Sequence, residues 1–415
     1  MSSATKPTER VPLRWFDYLA LAFLLWTGIG AGIRSAGGLR ELWLLPFKVG
    51  KPIGFGLVLG YLLLKGRLAN KRLLVGYVVA GLIALTNGML RDRELYFIAA
   101  DVFLVMYGPM WFVVANATPV TRAQFDKLVR LFAWAAFYLY TGAIVITYAT
   151  LIAQRGFYLG FSCVPLIVTF AFFAGKPSRP ALATFTALLI FLSGKRGVLV
   201  GALAIPALRL FRKPGRPFLA QIGRFAVVTA LLFFAIIFVF DHLQTTTDPD
   251  QLYSRSLSKW SLLSMSSDRE RLDVGTGGRI AEVSSAFEEF SSQPLNYLVG
   301  GGFGFSYTLK SSREGVPMVE NYRYVHLSYV WLFVLYGPFI TPILLLLFGL
   351  ELRDGVRLRG PHEANTDFAL FAGVIGMLIF AFSAASFFVD EFLWYALGLY
   401  CNPGSVDRSW ESPSS

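Results

Sequence analysis

The chain has 415 residues, of which 55% are hydrophobic and only 15% are charged. Soluble domains carry about 25% charged residues, so this composition excludes an ordinary soluble protein and predicts an all-α membrane protein that crosses the bilayer repeatedly. The net charge of +12 is typical of cytoplasmic loops rich in Lys and Arg, and we therefore expect no nucleic-acid partner.

Apolar runs along the chain predict about twelve transmembrane helices, since a helix needs roughly 20 residues to cross the hydrocarbon layer. The polar, basic segment before the first run lacks a convincing cleavage site after it, so we interpret that run as a retained span. The seventh, eighth and twelfth runs are short. In chain order the runs are Phe16–Ile33, Pro46–Leu64, Arg72–Leu90, Leu95–Ala117, Leu128–Ile152, Phe157–Ala174, Pro180–Ser193, Gly197–Phe211, Phe225–Asp241, His326–Leu350, Phe368–Phe388 and Phe392–Cys401.

The basic residues predict how these helices are oriented. With twelve crossings, all the segments rich in Lys and Arg fall on one side of the membrane, which the positive-inside rule assigns to the cytoplasm. Both termini are then cytoplasmic, and the polar segment His242–Val325 is external. The basic segments are Lys6–Arg14, Lys65–Arg72, Arg122–Arg130, Lys176–Arg179, Arg209–Arg224 and Arg353–Arg359.

Three parts follow from this topology. An N-terminal bundle of about nine spans covers residues 1–241, an external segment with short helices covers 242–325, and C-terminal spans with a cytoplasmic tail cover 326–415. In the external segment, apolar residues recur at helical spacing from Ile280 to Phe290. Glycines precede this predicted helix, and the run Gly300–Gly304 follows it. The two cysteines form neither a disulfide framework nor a zinc pattern.

Cations at two places are candidates for binding phosphate. Lys195 and Arg196 lie in a tight turn between two apolar runs at the predicted outer surface. The planar guanidinium suits the phosphate oxygens of a lipid carrier, whereas the alternative is a polar turn whose side chains reach the interface. Arg279 opens the predicted external helix, whose N-terminus attracts anions. The alternative there is a surface arginine paired with Glu282, three residues further on.

His326 stands at the outer mouth of a predicted span. A neutral imidazole there can accept a proton from a sugar hydroxyl, and the alternative is a polar anchor at the interface. Arg91, Arg155 and Tyr324 also fall on the predicted external face and are candidate substrate contacts. Asp101 lies within a span, where a charge is expensive, and the sequence gives it no role. The external segment has no persuasive metal-ligand cluster, since Asp248-Pro-Asp250 is one short Asp-x-Asp match, so neither a metal nor another cofactor is expected.

The stretch from Leu192 to Leu350 contains a series of short motifs in a fixed order. They are Ser-Gly-Lys-Arg-Gly after a short span, a long external loop, Gly-Gly-Arg279 opening a helix, Pro294-Leu295 leading into Gly300–Gly304, and His326 opening a span that reaches Tyr336-Gly337. In these motifs the stretch resembles the O-antigen ligase and polymerase superfamily of bacterial inner membranes. Two positions depart from the family pattern: Lys195 replaces the usual serine before the arginine, and Leu327 follows His326 where many members have asparagine.

The resemblance implies a C-type glycosyltransferase architecture and a metal-independent reaction. The implied donor is a glycan on undecaprenyl diphosphate, with Arg196 and Arg279 holding the diphosphate and His326 activating the acceptor hydroxyl. The acceptor is either another lipid-linked glycan, as in an O-antigen or exopolysaccharide polymerase, or lipid A-core, as in a ligase. The departure at Leu327 favours the polymerase.

Other implied partners are membrane lipids and polysaccharide-assembly proteins, and the implied location is the bacterial inner membrane. The rival class is a transporter such as a lipid-linked oligosaccharide flippase, which also commonly has about twelve spans of the length a bilayer requires. A flippase does not require an ordered external segment of this size, nor external cations concentrated at one membrane surface.

Overall fold

The described part of the chain is mostly helical. The computed structural model describes residues 12–14, 17–18, 21, 53, 56–57, 60, 64, 71–117, 119–154, 164–175, 179–192, 196–211, 279–313, 316–322, 325–359, 365–381 and 391–402. Four of its helices are long and apolar enough to cross a membrane, at Arg72–Leu90, Leu95–Asn116, Arg122–Val145 and Ser328–Arg359. The prediction of a helical membrane protein is confirmed at this level.

We number the described elements in chain order. The helices before the external segment are α1 (Lys71–Leu90), α2 (Leu95–Ala117), α3 (Arg122–Gln154), α4 (Val164–Ala174), α5 (Pro180–Leu192) and α6 (Arg196–Phe211). The external segment contributes α7 (Arg279–Ser291), α8 (Asn296–Val299), β1 (Tyr307–Arg313) and β2 (Val316–Tyr322). The last helices are α9 (Ser328–Arg359), α10 (Asn365–Phe380) and α11 (Glu391–Tyr400).

Most predicted spans coincide with a helix in this numbering. The predicted span Phe225–Asp241 lies outside the described residues, and Phe16–Ile33 and Pro46–Leu64 are described only at isolated positions. The predicted count of about twelve spans, each of membrane-crossing length, therefore stays a prediction, as does the division of the chain into three parts.

Glycines let the helices of the bundle pack closely. A Cβ at Gly108 of α2 would lie 2.2 Å from the indole Nε1 of Trp394 in α11, and one at Gly398 would lie 2.4 Å from the carbonyl oxygen of Phe112. Small residues at such contacts are how membrane helices approach one another without a hydrophobic driving force. Trp394 is fully buried, so α2 and α11 form the centre of the described bundle.

The polar contacts gather at two ends of the bundle. At one end, Arg122 and Arg359 each lie 2.6 Å from a carboxylate oxygen of Asp367, and Arg72 lies 2.6 Å from Glu351. These arginines belong to the segments predicted to be cytoplasmic. The opposite end carries the segment predicted to be external. The polar contacts of the two predicted sides therefore lie at opposite ends of the bundle. Which end faces the cytoplasm stays a prediction.

The external segment contains a hairpin that departs from the predicted all-α fold. Strands β1 and β2 pair antiparallel, with Tyr307 opposite Tyr322 and Arg313 opposite Val316. Pro317 is accommodated in β2 because a strand with only one neighbour has an edge that needs no N–H donor. The hairpin packs against α7, and it leads the chain from the glycine run to His326.

The glycine run Gly300–Gly304 docks between the long helices. Its first three N–H groups after Gly300 donate to carbonyl oxygens of Val334, Leu335 and Ala84. Helix α9 is kinked at Gly337, where φ is +76° and ψ is 175°, and a Cβ there would lie 2.7 Å from the Gly300 nitrogen. Only glycine combines that positive φ with such a close approach. The glycine run therefore docks at the kink in α9.

Candidate functional site

Helix α7 places Arg279 and Glu282 at the end of the bundle that is predicted to be external. Its buried face carries Glu282, Ala286 and Phe290, which are spaced four residues apart and so lie on one side of the helix. Phe290 packs against Phe333 of α9, with ring centroids 5.3 Å apart. This apolar contact fixes the rotation of α7, and the same rotation turns Glu282 inward.

Glu282 meets His326 across 44 positions of sequence. The Oε1 atom of Glu282 lies 2.5 Å from Nδ1 of His326, and the backbone N–H of His326 donates to Oε2 at 3.3 Å. The polypeptide then enters α9, where the N–H of Ser328 donates to the carbonyl oxygen of Ala381 at 3.2 Å. Both the ring and the backbone of His326 are therefore positioned by one carboxylate.

Arg279 completes the group through the same carboxylate. Its Nη1 atom lies 3.2 Å from Oε2 of Glu282, so the pair at i and i+3 that formed the alternative interpretation is present. The side chain of Glu282 is 4% exposed, whereas those of Arg279 and His326 are each 32% exposed. The buried carboxylate thus joins an arginine and a histidine that both reach the surface. We call these three residues the outer cluster.

The electrostatics favour an ionised Glu282. Burial raises the pKa of this carboxyl, but the hydrogen bond and charge of His326 and the charge of Arg279 outweigh burial and hold the pKa below its ordinary value. An ionised carboxylate can only accept hydrogen bonds, so Nδ1 of His326 carries the proton that faces it. The other ring nitrogen, Nε2, is then the basic one. This arrangement is that of a histidine base oriented by a carboxylate.

Arg91 contacts a different part of the external segment. Its Nη1 donates to the side-chain oxygens of Gln293 and Asn296, and Asn296 in turn donates to the carbonyl oxygen of Phe290 at 2.6 Å. These bonds tie the outer end of α1 to the start of α8. The described contacts of Arg91 are structural, and its predicted contact with substrate stays a prediction.

Other predicted site residues lie partly or wholly outside the described residues. Arg196 is the first residue of α6, but its side chain is among those not described. The predicted turn at Lys195 and Arg196 stays a prediction. Lys195, Arg155 and Tyr324 are outside the described residues altogether. The joint action of Arg196 with Arg279 on one diphosphate therefore stays a prediction.

Two residues, Glu282 and Asp101, make contacts that the sequence does not predict. The sequence indicates Arg279 as a partner of Glu282, whereas the contact of Glu282 with His326 is found only in the structure. Asp101 is 3% exposed and accepts a 2.7 Å hydrogen bond from the N–H of Gly304. The buried carboxylate in α2 thus anchors the glycine run. Among the residues described, no group of three or more His, Cys, Asp or Glu side chains could hold a metal ion.

The chain matches no protein-family model and no curated protein sequence. The resemblance to the O-antigen ligase and polymerase superfamily therefore depends on the short motifs between Leu192 and Leu350.

Proposed function

We propose that the protein is a membrane glycosyltransferase that moves a glycan from undecaprenyl diphosphate to an acceptor hydroxyl at the outer face of a bacterial inner membrane. The acceptor is another lipid-linked glycan, so the protein is a polysaccharide polymerase. The observation that carries this proposal is the 2.5 Å contact between Glu282 and His326 at the outer mouth of α9. A carboxylate-oriented imidazole is a recurrent general base for activating a hydroxyl.

The reaction uses the outer cluster as follows. Nε2 of His326 removes the proton of the acceptor hydroxyl while the oxygen forms a bond to the anomeric carbon of the donor. The bond from that carbon to the diphosphate oxygen breaks, and undecaprenyl diphosphate leaves with the electron pair. Glu282 stabilises the imidazolium that forms, as the carboxylate does in hydrolase triads. The proton passes to solvent in the next step.

Arg279 is suited to the leaving group. The diphosphate gains negative charge as the glycosidic bond breaks, and a fixed cation near it lowers the barrier more than it tightens ground-state binding. A guanidinium has five N–H donors, of which the Glu282 contact uses Nη1. Its 32% exposure leaves surface for a phosphate. Arg196 is proposed as the second cation, from its place in the resemblance.

The test is glycan elongation in lipid vesicles that contain the purified protein and a lipid-linked oligosaccharide. A polymerase lengthens the glycan. A ligase leaves its length unchanged and transfers it to lipid A-core when that acceptor is supplied, and a flippase moves the lipid across the membrane with its glycan unchanged. In the polymerase assay, His326→Ala should reduce turnover by about 10²–10⁴-fold, the usual size of general-base assistance.

His242→Ala is the control, because it removes the histidine of the predicted external segment and leaves His326 in place. Its turnover should equal that of the wild type. Near-normal turnover by His326→Ala would leave the histidine as an interface anchor and remove the proposed mechanism. Transbilayer movement without elongation would replace the transferase by the transporter.

A further inference from the structure

We propose that α8 and the preceding Leu295 are embedded in the outer leaflet of the bilayer, with Leu295, Tyr297 and Leu298 in contact with lipid acyl chains. Part of the segment that the sequence predicts to be a water-exposed loop would then be membrane-inserted. This inference depends on the depth at which the glycine run docks, and it holds whether or not the protein is a glycosyltransferase.

Helix α1 provides the first measure of depth. Its apolar part, Arg72–Leu90, has 19 residues and is therefore about 28 Å long at 1.5 Å per residue. That length just matches a hydrocarbon layer of about 30 Å, so Leu90 lies at the outer boundary. Phe303 donates its N–H to the carbonyl oxygen of Ala84 at 3.0 Å, and Ala84 lies about 9 Å below that boundary.

Helix α2, which follows α1 after a short turn, gives the same depth for the glycine run. It begins at Leu95, which faces the same outer boundary because only four residues separate it from Leu90. Asp101, which accepts the hydrogen bond from Gly304 at 2.7 Å, lies one and two-thirds turns further along, about 9 Å inward. Two helices thus place the glycine run below the boundary.

Helix α9 also places the loop below the outer boundary, at a smaller depth, when its inner end is aligned with that of α1. The 2.6 Å contact between Arg72 and Glu351 sets the two helices level at the inner side. Ser328 then lies about 35 Å from that level, a few ångströms outside the outer boundary. The loop donates hydrogen bonds to the carbonyl oxygens of Val334 and Leu335. These residues lie about 9–10 Å below Ser328 along the helix, and so a few ångströms below the outer boundary.

The loop satisfies the condition for irregular backbone at this depth. Lipid cannot bond to N–H and C=O groups, so a re-entrant segment persists only where protein covers it. Gly300–Gly304 are all buried, and their N–H bonds end on α1, α2 and α9 or, for Gly300, on Asn296. The carbonyl oxygen of Gly300 accepts from Asn87 at 2.8 Å. Protein therefore replaces the water that the loop has lost.

Helix α8 precedes this loop directly and faces outward at the same level. The carbonyl oxygen of Asn296 would lie 3.1 Å from a Cβ at Gly337, which sets the start of α8 beside the kink of α9. Asn296 itself is buried, whereas Leu295, Tyr297 and Leu298 are 53%, 47% and 57% exposed. Apolar side chains exposed at the depth of the outer hydrocarbon contact acyl chains, and a tyrosine is enriched where such chains meet the headgroups.

The experiment measures the surroundings of a nitroxide label in the full-length protein in lipid nanodiscs. Single cysteines are introduced at Leu298→Cys, at Leu82→Cys on the exposed face of α1, and at Glu288→Cys, an exposed charged position of α7, after Cys163→Ala and Cys401→Ala. Collision with oxygen reports lipid, and collision with a water-soluble nickel chelate reports water. The Leu298 label should resemble the Leu82 label and differ from the Glu288 label.

A second measurement uses the unaltered protein, so that a misfolded variant cannot decide the result. A phospholipid with a photoactivatable group near the end of one acyl chain should cross-link to the peptide that contains Leu295–Leu298. Collision of the Leu298 label with the nickel chelate, together with absence of that cross-link, would overturn the inference. A label that neither reagent reaches would also overturn it, because a second protein copy would then cover the face.

Discussion

Replacing Glu282 by glutamine removes the charge of the outer cluster while keeping the shape of the side chain. The amide can still accept from Arg279 and from the N–H of His326, so the fold should persist. The missing feature is the carboxylate that lies 2.5 Å from Nδ1 of His326. Without it, neither the proton on Nδ1 nor the imidazolium formed during proton transfer is stabilised.

The expected loss in kcat is about 10²–10⁴-fold, because the change removes the orientation and stabilisation of the general base. That loss corresponds to about 3–5 kcal/mol of transition-state stabilisation, at roughly 1.4 kcal/mol per factor of ten. The assay is elongation of a lipid-linked oligosaccharide with the donor varied, so that kcat and KM are separated. The loss should fall on kcat, since Glu282 is 4% exposed and is buried away from the donor.

Two comparisons separate this positioning role from a general loss of structure. Glu288→Gln changes an exposed carboxylate on the same helix and should leave kcat unchanged. The double variant Glu282→Gln/His326→Ala should be little worse than His326→Ala alone, because residues that act as one unit are not additive. Multiplicative losses in the double variant, or a kcat within a few-fold of wild type in Glu282→Gln, would refute the reasoning.

Three further outcomes are expected. Arg196→Lys and Arg279→Lys should each lose most turnover because lysine lacks the two-pronged geometry, and the double variant should be less impaired than the product of the single losses. Gly302→Ala should lower the melting temperature in detergent, since φ there is +74° and a Cβ would lie 2.9 Å from the carbonyl oxygen of Ala84, at a cost of about 1–3 kcal/mol. The stability difference between wild type and Glu282→Gln should disappear as pH falls below 4.5, because the pKa of this carboxyl is lowered from 4.5 in the folded state.

Each of these three predictions would be contradicted by a specific measurement. Multiplicative losses in the arginine double variant would show that the two cations act separately. Gly349→Ala is the control for Gly302→Ala, because a Cβ at Gly349 meets nothing within 4 Å. Equal melting temperatures for the two glycine variants would show that the glycine run is not tightly packed against the long helices. A stability difference that is unchanged at acid pH would place Glu282 outside an ionic cluster.

The long helices could be predicted because one physical requirement dominates them. Lipid excludes unpaired backbone groups, so an apolar run of sufficient length has to be helical whatever it packs against. The predicted run Leu95–Ala117 is observed with the same bounds. The prediction for Leu128–Ile152 began too late, because the observed helix starts at Arg122. Its first turn is polar and is held by ionic contacts of Arg122 with Asp126 and Asp367.

The hairpin and the docked loop could not be predicted from local pattern. Residues 307–322 show little regular alternation of polar and apolar side chains, and their pairing depends on a surface that α7 provides. The glycine run is visible in the sequence, but its partner is the kink at Gly337, 37 positions beyond Gly300. A contact between two glycines leaves no pattern of side chains from which sequence could infer it.

The sequence contains a signal that Glu282 faces inward and has a partner there. It falls on the helix face of Ala286 and Phe290, where a carboxylate has to find a cationic or donor partner, because burying it alone is costly. The cationic partner nearest in the sequence is Arg279, three residues earlier. The distant partner His326 could not be inferred, since it depends on how the hairpin returns the chain to the membrane.

The glycine run and the outer cluster are linked by chain connectivity. Glu282 and His326 are separated by 44 positions, and the chain between them passes through α8, the docked loop and the hairpin. Gly300–Gly304 are the part of that path that α1, α2 and α9 hold by hydrogen bonds. Because those helices are fixed by the bilayer, the loop sets the height of both residues above it. In the proposed reaction, His326 has to stand at a constant distance from the hydrocarbon to meet a lipid-carried substrate, and the docked loop would set that distance.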